Sequence, residues 1–149
     1  MTGGCGPDRD WPGRPPCSCP CAATTVRAVR GAIQVDRDDH DVVLADTATL
    51  LREVIRRNEL DPDDIISILF SLTPDLVSAF PATAARRLGL ADVPVLCASE
   101  IDVPGALPRV VRLLAHVRTD RAPSAVEHVY LRGAASLRPD LVQRRVSQW

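Results

Sequence analysis

Lysine is absent from the 149-residue chain, and all 18 basic residues are arginine. That absence excludes Schiff-base chemistry and a phosphate-loop lysine. Coding bias in a GC-rich genome accounts for the totals, yet the remaining cation is the guanidinium, a planar fork suited to carboxylates and phosphates. Aromatic residues are 3% of the chain, and two of the five, Trp11 and Trp149, sit near its ends. A base-stacking surface needs more of them, so no nucleic-acid partner is expected. The formal net charge is only −1, which gives no global field toward nucleic acid or membrane. No apolar run approaches the roughly 18 residues of a membrane span. The N-terminus lacks the uninterrupted apolar core of a secretory signal. A cytoplasmic protein is therefore expected. There is no G-x-G-x-x-G, no P-loop and no nucleophile elbow. His40, His116 and His128 show no metal-ligand spacing, so neither metal nor cofactor is expected.

What is present is an ordinary globular composition, 46% apolar and 25% charged, of a length for one domain. Residues 1–22 stand apart. They hold five of the thirteen prolines, half the glycines and four of the five cysteines, with no hydrophobic period. They read as a disordered extension or translated leader. Cys17, Cys19 and Cys21 form C-x-C-x-C without the second ligand pair that a zinc site uses. Residues 23–142 read as the folded domain and 143–149 as a frayed tail.

From Thr24 the pattern becomes regular. Thr25–Val35 alternates as a strand. Asp36–Asp41 is a charged turn that offers helix caps, and 42–58 carries apolar residues near helical spacing. Asp64–Leu72 is a nearly continuous apolar run of strand length, hence a buried strand. Pro81 and Gly89 bracket a short helix. Val93–Ser99, Pro108–Thr119 and Val126–Leu131 complete the strands. The order β-α-β-α-β-β-β predicts an α+β fold, a mixed sheet of about five strands with helices packed on one face.

Several side chains in these elements could carry chemistry. In a strand, Val110, Arg112 and Leu114 share one face. Neither face is plainly polar, so Arg112 is at least half buried and needs a protein carboxylate or a bound anion. Arg30 precedes Gly31, where a backbone or a ligand can come close; it also reads as a solvated strand residue. Arg86 complements the C-terminal dipole of its helix. Arg138 precedes Pro139, so its backbone is extended, and it reads equally as a tail charge. Glu100 closes its strand as a turn carboxylate. Tyr130, the single tyrosine, serves as amphipathic packing. Cys97 reads as a small buried hydrophobe. The residues alone describe an α/β domain able to bind a small anion.

The segments VRAVRGAIQV, SLTPDLVSAFPATAARRLGL, VPVLCASEIDVPGALPRVVRLLAHVRT and EHVYLRGAASLRPDL carry more. In this order, from about Val26 to Leu141, they resemble the small monofunctional bacterial chorismate mutases of the trimeric pseudo-α/β-barrel type, not the all-helical type. The resemblance implies a homotrimer with its sites in clefts between subunits. One subunit would bring Arg30, Leu96, Cys97, Ala98, Ser99, Glu100, Arg112 and Tyr130. The neighbour would bring Phe80, Ala82, Thr83 and Arg86, and Leu137 and Arg138 would help cover the site. Arg112, Arg30 and Glu100 would be the catalytic residues. The substrate would be chorismate, rearranged to prephenate in aromatic amino acid biosynthesis without cofactor or metal. Thr83 and Leu96 depart from the longer or polar side chains common there, so Leu96 offers only backbone hydrogen bonds. Two other readings compete with this one. A trimeric module could bind small carboxylates without turning them over, although Glu100 beside the arginines argues against a plain anion trap. A deaminase-like trimeric enzyme with an interfacial arginine is the other.

Overall fold

The computed structural model describes residues 24–140. The extension at 1–22 and the tail at 143–149, with the thiols of Cys17, Cys19 and Cys21, lie outside the described residues. Strand β1 (Thr25–Gln34) leads into helix α1 (His40–Asn58). Strand β2 (Ile65–Leu72), helix α2 (Pro81–Arg87) and strand β3 (Val95–Ser99) follow. Strands β4 (Val110–Thr119) and β5 (Val129–Leu131) complete one five-stranded sheet, ordered β3-β2-β4-β1-β5. β4 runs antiparallel to both β1 and β2, while β3 and β5 pair in parallel with β2 and β1. The sheet is thus mixed, and the β-α-β-α-β-β-β order is the one read from the sequence.

Helix α1 starts where Asp39 accepts the backbone N–H groups of Asp41 and Val42, satisfying donors that the first turn leaves free. It ends at Glu59, whose left-handed backbone (φ 52°) turns the chain. Pro81 opens α2, where its missing N–H costs nothing. β1 and β2 each fall one residue short of the predicted range, and the last three strands start two or three residues late, each for a local reason. Arg109 is left-handed (φ 53°), so β4 cannot begin before Val110; the Asp75 carboxylate accepts the Arg109 N–H at 2.9 Å. Asn58 captures the backbone of Glu127, accepting its N–H at 2.8 Å and donating to its carbonyl at 2.9 Å. That holds the chain ahead of β5 out of the ladder. Pro94 has no N–H to give, and its carbonyl serves Ile68, so β3 begins at Val95.

Both helices pack on one face. Val29, Ile33 and Val35 of β1, Val111, Leu113, Ala115 and Val117 of β4 and Phe70 of β2 meet Leu50, Leu51 and Val54 of α1 in the main core. Gly31 lies among them. A Cβ there would stand 3.1 Å from Leu50, 3.2 Å from Leu113 and 3.3 Å from Val54. The close approach at this glycine is therefore made by core side chains. The opposite face is open. β2 was expected to be buried throughout, but only Ile65, Ile68, Phe70 and Leu72 are, and Leu69 is 38% exposed. An apolar run permits burial on both sides; a single chain supplies helices for one.

Candidate active site on the open face

Register places the predicted residues in rows. Ala98 pairs with Ser71, Ser71 with Arg112, Arg112 with Ala32, and Ala32 with Tyr130. These five form one row across all five strands, on the face away from the helices. Leu96, Leu69, Leu114 and Arg30 form the next row. Arg30 and Arg112 are thus diagonal neighbours on adjacent strands, roughly 7–8 Å apart. Tyr130 lies two strands from Arg112, about 10 Å at ordinary strand spacing.

The Arg112 side chain is 38% exposed, half-buried as its strand pattern predicted. Its Nε lies 2.9 Å from Oε1 of Glu100. The N–H is not aimed at that oxygen, and it has no hydrogen-bond partner among the described residues. Ser71 Oγ instead donates to Oε1 of Glu100 at 2.6 Å. Glu100 is held just beyond β3 by its own N–H, which donates to the Leu72 carbonyl at 2.8 Å. The carboxylate therefore balances the cation without capping its fork, so guanidinium donors remain for a ligand.

One end of the open face is roofed. After β5, the 3-10 segment Arg132–Leu137 folds over Ala32 and Val110, with Ala134, Tyr130 and Leu137 forming a second small core. Asp46 of α1 clamps that segment through two bonds to Arg132, at 2.6 and 2.8 Å. Arg138 emerges at its end and pairs with Asp140 through Nε and a terminal nitrogen, at 2.9 and 2.8 Å. Asp140 and, more weakly, the Tyr130 hydroxyl hold this guanidinium protonated well above its ordinary range. Burial, then the fields of Arg30 and Arg138, keep the nearby His128 ring below its ordinary value.

The α2 residues are elsewhere. Phe80 is 75% exposed at the head of α2. It shares a cleft of about 250 Å³ with Val77, Cys97, Ala98 and Ser99. Ala82 is buried, Thr83 half-buried and Arg86 exposed, all in the helical layer behind the sheet. Among the described residues, no hydrogen bond or ion pair joins these four to Arg30, Arg112 or Tyr130. Cys97 pairs with Phe70 on the helix-facing side; its sulfur points away from the Arg112 row, and only its backbone is near it. Sequence reasoning missed Ser71 and His128. The alternation Ser67, Leu69, Ser71 marks one face of β2, and that signal could have found Ser71. Among the described residues, no group of three or more His, Cys, Asp or Glu side chains could hold a metal ion. Likewise no helix there is long and apolar enough to cross a membrane.

Register thus gathers Arg30, Arg112 and Tyr130 on the open face of an α+β sheet, with Glu100 beside Arg112. Residues 26–141 match the family model for chorismate mutase type I, and the chain belongs to that family. It is 46% identical over 117 residues to the chorismate mutase AroH of Thermus thermophilus, covering 78% of this chain and 96% of the relative. The chorismate mutase AroH of Bacillus subtilis is 43% identical over 117 residues, with 78% and 92% covered. Among solved structures, a chorismate mutase from Clostridium thermocellum superposes with a TM-score of 0.73 at 45% identity, covering 74% of this chain and 98% of that one.

Proposed function

We propose that the chain converts chorismate to prephenate, for aromatic amino acid biosynthesis in the cytoplasm, as a homotrimeric pseudo-α/β-barrel with its sites between neighbouring copies. The observation that carries the reading is the row Ala98–Ser71–Arg112–Ala32–Tyr130 with Arg30 on its diagonal. The reaction is an intramolecular [3,3] shift. One C–O bond breaks as one C–C bond forms, and no proton or covalent adduct is required.

The substrate is a dicarboxylate whose relaxed form is extended, so holding it compact is the first contribution. Arg30, with Tyr130, clamps the enolpyruvyl carboxylate. The half-buried Arg112 faces the ether oxygen. That oxygen gains negative charge as the C–O bond stretches, so a fixed cation beside it stabilises the transition state more than the ground state. Glu100 and the backbone of the Leu96–Ser99 segment receive the ring hydroxyl. Arg138 and Leu137 cover the mouth, and Arg138 with Arg86 attracts the remaining carboxylate.

Two features favour assembly. Leu69 and Leu96 leave apolar surface on the open face, and Phe80, Ala82, Thr83 and Arg86 lie behind the sheet of their own chain. A neighbouring copy can present its α2 to this chain's Arg112 row, which completes the site and covers the leucines. The domain at 23–142 is the unit that assembles.

The test is loss of chorismate absorbance with purified protein, alongside its mass in solution by light scattering. Turnover to prephenate by a trimer is the expected result. A monomer would overturn the intersubunit site, and dicarboxylate-induced thermal stabilisation of a trimer without turnover would favour the binding module. Imine hydrolysis in place of chorismate turnover would favour the deaminase-like alternative.

A further inference from the structure

The parallel ladder between β1 and β5 begins at Gly31 and Val129. The backbone N–H of Arg30 falls one residue short of it. The ring of His128 fills the gap, and Nδ1 accepts that N–H at 3.1 Å. Nδ1 can accept only when it carries no proton, so the bond requires the neutral ring with its hydrogen on Nε2. A proton on Nδ1 would set donor against donor, beside two guanidinium groups.

We propose that His128 is a positioning residue for substrate capture: the neutral ring fixes the backbone of Arg30 at the β1–β5 edge, and protonation releases it. This rests on reading Arg30 as the carboxylate clamp. The charges that act on the ring are those of Arg30 from β1 and Arg138 beyond the 3-10 segment; Tyr130 follows two residues on in β5, and the carboxylate of the adjoining Glu127 acts on Arg56 of α1. Burial and the two arginines disfavour the imidazolium, so the neutral form is the one present at neutral pH. The substrate keeps its own carboxylates ionised throughout the window in which the ring titrates.

The experiment measures KM and kcat for chorismate against pH in the full chain, in His128→Asn and in His128→Leu. Asparagine offers an acceptor near the Nδ1 position and cannot titrate; leucine offers none. In the parent, KM should rise about three- to tenfold as pH falls below 6.5, the loss expected of one modest hydrogen bond, with kcat nearly level. The asparagine variant should show no acid rise in KM. The leucine variant should show a raised KM at every pH. Ring ¹⁵N shifts of His128 should report the Nε2–H tautomer at neutral pH. An acid rise that persists in the asparagine variant, a KM that falls in acid, or an Nδ1–H tautomer would overturn the proposal. A parent that turns over chorismate while its variants match it at every pH defeats the proposal alone. A parent with no turnover defeats the functional reading, and the proposal with it.

Discussion

Replacing Arg112 by lysine keeps the charge on the central strand and removes the fork. The side chain sits between Ser71 on β2 and Ala32 on β1, both small, so the shorter, thinner lysine fits without a clash. An ammonium is a single point donor. Its three N–H groups radiate from one nitrogen, so it lacks the planar fork by which the guanidinium sets one edge beside Glu100 and holds donors on its other nitrogens toward the developing oxyanion. Losing one preorganised donor costs about 10²–10³ in kcat, or roughly 2.7–4 kcal/mol of transition-state stabilisation. The stability cost is much smaller. The arginine is 38% exposed, so its pair with Glu100 is screened. The Ser71 hydroxyl still donates to Glu100 at 2.6 Å. The expected loss of stability is at most about 1 kcal/mol, a fall of roughly 3–6 °C in Tm. Initial rates with chorismate, with thermal melts and light scattering on the same preparations, separate the two effects. A lysine variant whose kcat stays within about threefold of the parent would refute the assignment. So would a rate loss that tracks unfolding or loss of assembly.

Three further outcomes follow from the packing and the charges. Gly31→Ala should destabilise the fold by about 1–2 kcal/mol. The new Cβ meets Leu50, Leu113 and Val54 at 3.1–3.3 Å, and all three are buried and confined; a urea midpoint equal to or above the parent's would contradict this. Asp46→Asn breaks the bidentate clamp on Arg132 at a carboxylate that is itself buried. It should cost about 2 kcal/mol and speed hydrogen exchange at Arg132–Leu137, and unchanged exchange there would count against the clamp. Glu53 is held down to about 2 from 4.5, chiefly by its hydrogen bond from Arg56 and then by Arg57. The unfolded chain therefore binds its proton first as pH falls. The stabilisation is complete above 4.5 and is lost as pH drops from 4.5 toward 2. The gap in Tm between parent and Glu53→Gln should accordingly shrink between pH 5 and pH 3; a constant gap would show that the pair contributes nothing.

Element order was legible because each element carries its own period and its own stop: Asp39 before α1, Pro81 at the head of α2, apolar alternation along β4. The starts of the last three strands were not. They depend on a left-handed Arg109, on Asn58 reaching across to the Glu127 backbone, and on Pro94 serving Ile68, and none of these leaves a local period. The face on which Arg112 lies was legible from the parity of Val110, Arg112 and Leu114. Its row partners were not, because register is a property of pairs of strands. That is why Ser71 went unnoticed although its hydroxyl makes the shortest contact to Glu100. His128 was hidden for a related reason: its role is to take one backbone N–H that the ladder leaves over.

The open face must meet two demands that conflict in a single chain. Leu69, Leu96 and Leu114 call for burial, whereas Arg30 and Arg112 in the same two rows call for counter-charge. Long guanidinium side chains reconcile them, because the stem lies along apolar neighbours while the head stays at the surface. Covering the leucines with a second copy would lower the local dielectric around those heads. The attraction between arginine and a bound carboxylate grows in proportion. The arginines themselves cannot escape the cost by losing a proton, as a buried lysine can. A cleft of this kind stays cationic at any pH at which the fold survives. Acid sensitivity of substrate capture then calls for a group that titrates and acts through an arginine, which is the role proposed for His128.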